Sequence, residues 1–334
     1  MPALTVAAGL ARGLIEVALS KGAAREALLS RAGMASADLE DQDSRIPFET
    51  YVALMRAGKD LCRDPALGLH FGELNDLARV SVVGLIGYAS DTMLEAMQQM
   101  NRYGRLVIEF DGGPDRFRVA QEKGGVWLVD NRANANEFPE LTESTFARMV
   151  CGGRRFGFPP MVKQIHVTHS DPGYANEYAR IFQTPVRFGA EWNAMEIDPA
   201  LLGFRLNLQP RYVFGILTEH ADALLRELEN SKSLRGRVEN LLMPILHKGD
   251  IGMEAIAGKF GMSRQTLFRK LKAEGATFEK VLDDLRQRLA LEYLRGKKVS
   301  INEIAYLVGF SDPAAFSRAF KRWTGKSPRT MRGR

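Results

Sequence analysis

Apolar positions along the chain fall into two periodicities, and the switches between them mark the elements. Over residues 3 to 72 the spacing is helical: Leu10, Leu14, Val17 and Ala18 first, then Tyr51, Leu54, Met55 and Leu61 in a segment opened by Ile46-Pro47. Asp91-Thr92 is placed to start a further helix through Arg105, with Leu94, Met97, Met100 and Tyr103 inward. The period then drops to two. Asp115 to Gln121 and Val126 to Asn131, separated by Glu122-Lys123-Gly124-Gly125, predict a β-hairpin, and Val162 to Thr168, Val186 to Phe188 and Ala194 to Ile197 predict further strands. Helical spacing returns at Pro139 to Phe156 and at Tyr174 to Phe182. This mixture predicts an α+β domain over residues 1–230, a sheet covered by helices.

The remainder, 231–334, predicts an all-α domain. Val238, Leu241, Leu242 and Ile245 mark its first helix, and Asn230-Ser231-Lys232-Ser233 reads as a short polar linker before it. Within it one pattern is written twice: Ile256-Ala257-x-x-Phe260-Gly261-Met262-Ser263 and Ile304-Ala305-x-x-Val308-Gly309-Phe310-Ser311, 48 residues apart. A small Ala lets two helices cross closely, and Gly supplies the positive-φ turn between them. This is the residue grammar of a helix-turn-helix. In the helices that follow, Leu267 and Leu271 match Phe316 and Phe320 at an offset of 49, so the second turn is expected to be one residue longer. Ser300-x-x-Glu303 reads as a capping box, and Asp312-Pro313 as an N-cap followed by a first-turn proline. Thr277 to Arg295 predicts a single helix between the units, with Phe278, Val281, Leu282, Leu285, Leu289 and Leu291 to Leu294 on its apolar stripe. It would span about 28 Å, against the roughly 34 Å between successive major-groove openings on one face of DNA. Some bending of the duplex would let both units engage it.

Charge sharpens the division. Of the 46 basic and 40 acidic residues in 334, Lys232 to Arg334 holds 22 and 10, net +12, which leaves the first 231 residues at −6. A basic piece beside an acidic one is the asymmetry expected when one part meets phosphates and the other does not. No uncharged run exceeds eleven residues (Met1 to Ala11 and Val80 to Ser90), too short for a membrane helix. Arg12 and Glu16 interrupt the amino-terminal apolar stretch, which argues against a signal peptide, and a cytoplasmic protein is expected. Cys62 and Cys151 are the two cysteines, so neither a disulfide framework nor a zinc site is expected, and no cofactor is called for.

The run Glu303-Ile304-Ala305-x-Leu307-x-Gly309-Phe310-Ser311-Asp312-Pro313-x-x-Phe316-Ser317-Arg318-Ala319-Phe320-Lys321-Arg322-Trp323-x-Gly325-x-Ser327-Pro328 closely resembles the signature of AraC/XylS-type transcription regulators. Gly261-Met262-Ser263-x-x-Thr266-Leu267-x-Arg269-x-Leu271 and Gly275-x-x-Phe278 are similar to the first half of the same domain. The resemblance implies two helix-turn-helix units joined by a long helix, acting on double-stranded DNA, with RNA polymerase as a further partner. Upstream, Asp64-Pro65-x-Leu67-Gly68-Leu69-x-Phe71-Gly72, Gly84-x-x-Gly87-Tyr88 and Pro185-Val186-x-Phe188-Gly189-Ala190-x-x-Asn193 resemble the "arabinose-binding" amino-terminal domain carried by some of these regulators. That implies a module for sensing a small-molecule effector and for dimerisation, without implying arabinose.

Candidate DNA contacts follow from the polar faces of the two recognition helices: Ser263, Arg264, Gln265, Thr266, Arg269 and Lys272 in the first, Ala314, Ser317, Arg318, Lys321 and Arg322 in the second. Arg suits guanine and Gln adenine. Phe268, beside the first face, either packs under the neighbouring helix or touches a thymine methyl. Tyr88, Trp127, Phe188 and Trp192 either line an effector pocket or fill a core. Cys151-Gly152-Gly153-Arg154-Arg155 is either an anion site or a solvated helix end. His166 and His169, three apart in a strand, should face opposite ways and share no metal. Leu217, Ala221, Leu224 and Leu228, within a helix from about Arg211 to Asn230, have the spacing of a coiled-coil seam for a homodimer or of a helix packed on its own domain. Two other functions stay open: DNA binding without any effector, and an enzyme fused to a DNA-binding domain, although residues 1–230 carry no GxSxG, HExxH or Gly-rich phosphate loop.

Overall fold

In the computed structural model, which describes residues 4–122, 124–206, 209–249, 251–296 and 299–332, the chain separates into two units, Met1–Leu225 and Arg226–Arg334. The first opens with two three-residue strands, β1 (Thr5–Ala7) and β2 (Arg45–Pro47), paired antiparallel. Between them run α1 (Ala8–Ser20) and α2 (Arg25–Ala32). The strand pair was not legible from periodicity, because three residues are too few to show an alternation. Helices α3 (Phe48–Cys62), α4 (Leu67–Leu74), α5 (Val82–Ala89) and α6 (Met93–Val107) follow. Thr92 caps α6 as expected, its hydroxyl accepting from the Glu95 amide at 3.2 Å. Tyr103 is fully buried, but Leu94, expected inward, is 41% exposed. It sits in the first turn of α6, where the chain has only begun to reach the core.

A five-stranded sheet forms the other half of this unit, in the order β3 (Phe117–Glu122), β4 (Gly125–Asp130), β7 (Asn193–Ile197), β5 (Val162–His166), β6 (Val186–Arg187). All pairs are antiparallel except β5–β6. On one face Phe117, Leu128, Ile165, Met195 and Ile197 meet Phe146 and Val150 of α7 (Pro139–Arg155) and Tyr178, Ile181 and Phe182 of α8 (Ala175–Phe182). The opposite face carries a small cluster of Ala120, Trp127, Val129 and Ala194, with Trp192 against it. Alternation along each strand, with inward residues every second position, is what divides the two sets.

The helix α9 (Arg211–Lys232) carries the chain out of the first unit. The second unit then comprises α10 (Leu234–Leu242), α11 (Met253–Lys259), α12 (Arg264–Ala273), α13 (Phe278–Gly296), α14 (Ile301–Leu307), α15 (Pro313–Thr324) and α16 (Pro328–Arg332). One apolar cluster joins α10 to α15. Val238 and Leu242, Ile256 and Ala257, Leu267 and Leu271, Val281 and Leu285, Ile304 and Ala305, and Phe316 and Phe320 are all buried in it. The capping box is formed: Ser300 N donates to Glu303 Oε2 at 2.6 Å, and Glu303 N to Ser300 Oγ at 3.2 Å. A tie with no sequence signature fixes α10, whose first two amides, Leu234 and Arg235, donate to the Glu274 carboxylate just beyond α12 at 2.8 and 3.0 Å.

Candidate nucleic-acid interface and ligand cavity

Each recognition helix is built the same way. In α11–α12, Gly261 turns the chain at φ 63° and Ser263 Oγ caps the new helix by accepting from the Thr266 amide at 3.2 Å. In α14–α15, Gly309 turns it at φ 83°, and Asp312 caps by accepting from the Ala314 and Ala315 amides at 3.0 and 2.9 Å. The caps stand 49 residues apart, so the second turn is longer by one, as the sequence matching required. Arg286 of α13 staples that second turn: its guanidinium donates to the carbonyls of Val308, Gly309 and Gly249. Burial lowers its pKa from the ordinary arginine value, and its charge is spread over those carbonyl dipoles.

With the apolar faces of α12 and α15 buried, their polar faces are presented outward. Ser263, Arg264, Gln265, Arg269 and Lys272 are exposed and Thr266 is half-buried; Ala314, Arg318, Lys321 and Arg322 are exposed and Ser317 is half-buried. The side chains of Arg264, Gln265, Arg269, Lys272 and Lys321 make no hydrogen bond or ion pair with any described residue. Their donors are therefore uncommitted. Arg322 differs, for its guanidinium is held at 3.0 Å by Asp283, which also accepts from Trp323 Nε1 at 3.1 Å. Arg318 lies 3.9 Å from the capping carboxylate of Asp312, a loose pair that leaves it free to turn. Phe268 does not pack under a neighbour: it is 47% exposed on the α12 surface. A phenyl ring on a cationic face is what an apolar contact to a thymine methyl requires.

The amino-terminal unit holds an apolar cavity of about 440 Å³, within the range of small-molecule sites. It lies between α5, α6, the carboxyl-terminal half of α7 and the sheet face, and Tyr88, Met97, Phe117, Arg148, Phe156 and Met195 are among its walls. Of the four aromatic residues read as pocket candidates, Tyr88 alone lines it. Its hydroxyl donates to Asp76 Oδ1 at 2.6 Å. Trp127 and Trp192 stack on the opposite face of the sheet, 5.6 Å apart, with His166 beside them at 4.7 Å from Trp127. Phe188 packs edge-on against Tyr178 at 4.9 Å in the helix-side core. Trp127 is buried, while Phe188 and Trp192 are half-buried and Trp192 lines a separate, open pocket with Arg118, Asp130 and Asn193; strand alternation puts Trp127 on the far side of the sheet from the cavity.

The segment Cys151 to Arg155 is a helix end that borders the cavity, with Cys151 buried and Arg155 exposed. Gly152 to Arg155 line the cavity, while Arg154 donates to the carbonyls of Ile181 and Phe182 at the end of α8 and Arg155 to the Asn75 carbonyl at 3.2 Å. His169 lies past the end of β5, its Nε2 3.0 Å from the Tyr178 hydroxyl, away from His166. No group of three or more metal-ligating side chains occurs among the described residues. Tyr178 and Tyr174 both donate to Glu143 Oε1, at 2.6 and 2.7 Å, and burial raises the pKa of that carboxyl in spite of them. On α9 the proposed seam is partly covered: Ala221 and Leu228 are buried within the chain, and Leu217 and Leu224 are half-buried. Tyr103 Oη donates to Asp222 Oδ1 at 2.7 Å, drawing that side of α9 onto α6. The large apolar side chains that α9 exposes are Tyr212 and Ile216 instead.

Comparison with known proteins gives two family models on this chain. "Arabinose-binding domain of AraC transcription regulator, N-term" matches residues 22–206, and "Helix-turn-helix domain" matches residues 256–334. An ornithine utilization regulator of Pseudomonas aeruginosa is 29% identical over 96% of this chain and 94% of its own. The HTH-type transcriptional regulator VirS of Mycobacterium tuberculosis is 30% identical over 87% of this chain and 85% of its own. Among solved structures, the transcriptional regulator CdpR of Pseudomonas aeruginosa aligns over 81% of this chain and 87% of its own at 21% identity and a TM-score of 0.36, too loose a likeness to carry an argument. Among the described residues no helix is long and apolar enough to cross a membrane.

Proposed function

The chain belongs to the AraC family of transcription regulators, and on that premise we propose that it reads a defined DNA sequence with α12 and α15 under the control of a small molecule held in its amino-terminal cavity. DNA binding and the regulation of transcription are the family's function. The observation that carries the finer reading is the set of uncommitted donors on two helices whose other faces are locked into one core. Lysines and arginines around both units engage phosphates, which positions the protein and makes its affinity salt-sensitive. Arg264, Gln265, Arg269 and Arg318 then read base edges, while Lys272 and Lys321 serve the backbone. Arg322, already paired to Asp283, has the weakest claim to a base.

Control by an effector requires a ligand that binds one DNA-binding state better than another. The cavity supplies the room for such a ligand, and the family model over residues 22–206 supports a sensing role. The same reading makes the protein a cytoplasmic homodimer that meets RNA polymerase on its operator. The test is a binding-site selection followed by affinity measurements on the selected and on random duplex. Selected sites should win by about three orders of magnitude. Arg269→Ala and Arg318→Ala should each weaken the selected site by about 1 to 3 kcal/mol and random DNA hardly at all. Equal loss on both duplexes would reduce the two arginines to phosphate contacts.

A further inference from the structure

Among the described residues Arg148 forms no ion pair. It stands on α7 at the wall between the 440 Å³ cavity and a small enclosed space of about 40 Å³, and it lines both. Its Nε is buried without a hydrogen-bond partner, and its guanidinium makes no hydrogen bond or ion pair with any described residue. Its Cζ lies 5.3 Å from the centre of the Phe71 ring, a cation–π contact.

Of the charged and titratable groups around it, Arg116, Arg155 and Asp76 are engaged elsewhere. Arg116 is held by Asp130 at 3.0 Å, and Arg155 donates to the Asn75 carbonyl. Asp76, the one acid that lines the cavity, accepts from the Ala78 amide at 3.0 Å and from Tyr88 at 2.6 Å. Tyr51 is buried with its hydroxyl unpartnered. Burial first, then the neighbouring Arg116 and Arg155, lower the Arg148 pKa to about 10 against the opposing fields of Tyr51 and Asp76, so it keeps its proton at neutral pH. An enclosed cation without a hydrogen-bonded partner is unfavourable unless something pairs with it.

The rest of the cavity sets the shape of the partner. Of the chain's 13 methionines, Met93, Met97, Met100, Met149, Met161 and Met195 line it. Unbranched, polarisable side chains of this kind adapt to a flexible apolar body better than branched ones do. With Arg154 and Arg155 also on the wall and Asp76 the sole acid among the described lining residues, the site favours an anion over an amine.

From these observations we propose that the cavity takes an apolar monocarboxylate, its carboxylate paired with Arg148 and its hydrocarbon body lying among the methionines. This rests on the reading of the amino-terminal unit as a sensor and names the class of molecule sensed. Arg is suited to the task because its planar fork can donate two parallel hydrogen bonds to one carboxylate.

The experiment is calorimetric titration of the full-length protein with octanoate, dodecanoate and hexadecanoate, against dodecanol, butyrate and ornithine. At least one long-chain carboxylate should bind, and the dodecanoate-to-dodecanol preference should be about 10- to 100-fold, the worth of a hydrogen-bonded charge. Arg148→Met should abolish that preference while leaving dodecanol binding intact, and Arg148→Lys should restore part of it. Equal affinity for acid and alcohol in the unmodified protein, binding of butyrate or ornithine in place of the long acids, or a preference that survives Arg148→Met would overturn the proposal. Because the first two readings use the unmodified protein, they decide the matter even if Arg148→Met fails to fold. DNA affinity measured in the same samples separates this from the sensor reading. A carboxylate that binds through Arg148 without changing DNA affinity sinks the sensor and keeps the ligand class, whereas an effector of another class that changes DNA affinity does the reverse.

Discussion

Gly261 and Gly309 occupy equivalent turns, yet replacing them with alanine should have unequal consequences. Both have positive φ, 63° and 83°, where an L side chain costs about 1 to 2 kcal/mol. Both substitutions also remove unfolded-chain freedom by a similar amount, so that contribution cancels in the comparison. The surroundings do not cancel. A Cβ on Gly261 meets nothing within 4 Å, whereas one on Gly309 falls 2.3 Å from the Leu246 carbonyl oxygen. That oxygen cannot simply move, since it accepts from the Gly249 amide at 3.2 Å, and Arg286 pins the carbonyls of both Gly249 and Gly309. Overpacking against fixed backbone adds about 1 to 3 kcal/mol. Gly261→Ala should therefore cost about 1 to 2 kcal/mol and Gly309→Ala about 2 to 5. For a domain of this size each kcal/mol lowers the midpoint by about 4 to 8 °C. Scanning calorimetry of the full chain should show the Gly309→Ala transition at least about 4 °C below that of Gly261→Ala. Equal midpoints, or the reverse order, would refute the claim that the second turn is sterically locked and the first is not.

Three further outcomes can be measured. Glu143 has a raised pKa, so the stability its protonated form supplies is complete below the ordinary value of 4.5 and is lost as pH rises through the folded value. Glu143→Gln, which has no charge to develop, should gain on the unmodified protein as pH is raised, and a midpoint difference that stays flat with pH would mean that burial does not perturb this carboxyl. Lys272→Ala should weaken selected and random duplex alike and reduce the slope of log K against log salt by about 1; an unchanged slope would remove Lys272 from the phosphate contacts. If α9 forms the dimer, its exposed side must carry the contact, so Ile216→Asp should shift sedimentation to monomer without lowering the thermal midpoint, and an intact dimer would direct the search to another surface.

What the sequence revealed and what it concealed have the same physical origin. The helix-turn-helix pair was legible because its constraints are local: a cap, a positive-φ glycine and an apolar pair four apart all lie within a dozen residues, and Ser263, Gly309 and Phe316–Phe320 do what the pattern says. The α+β character of the first unit was legible for the same reason, as a change of period. Phe268 stayed open between two readings because a lone phenylalanine in a helix is ordinarily core and periodicity cannot register whether a neighbour covers it; the structure leaves it exposed. The cavity was hidden for a stronger reason. Its walls come from four helices and a sheet, so the pieces meet only in the fold, and the aromatic residues that draw attention, Trp127 and Trp192, lie across the sheet from it.

One trace of the cavity was nonetheless present in the sequence. On α7 the positions three and four residues either side of Arg148 are Thr145, Ser144, Cys151 and Gly152, with no carboxylate at helical spacing to pair with the charge. An exposed arginine there would be unremarkable, because water would solvate it. An arginine amid Phe146, Ala147, Met149 and Val150 is not obviously on a solvated face, and a helix that buries an unpaired cation is unstable unless the fold or a ligand answers the charge. The methionines of α6, Met93, Met97 and Met100, fall on one helical face at the same time, a lining and not a jigsaw core. Taken separately each signal is weak. Their convergence on one space, with a cation at its inner wall, is what the proposed ligand site rests on, since a void left by imperfect packing has no reason to hold a charge.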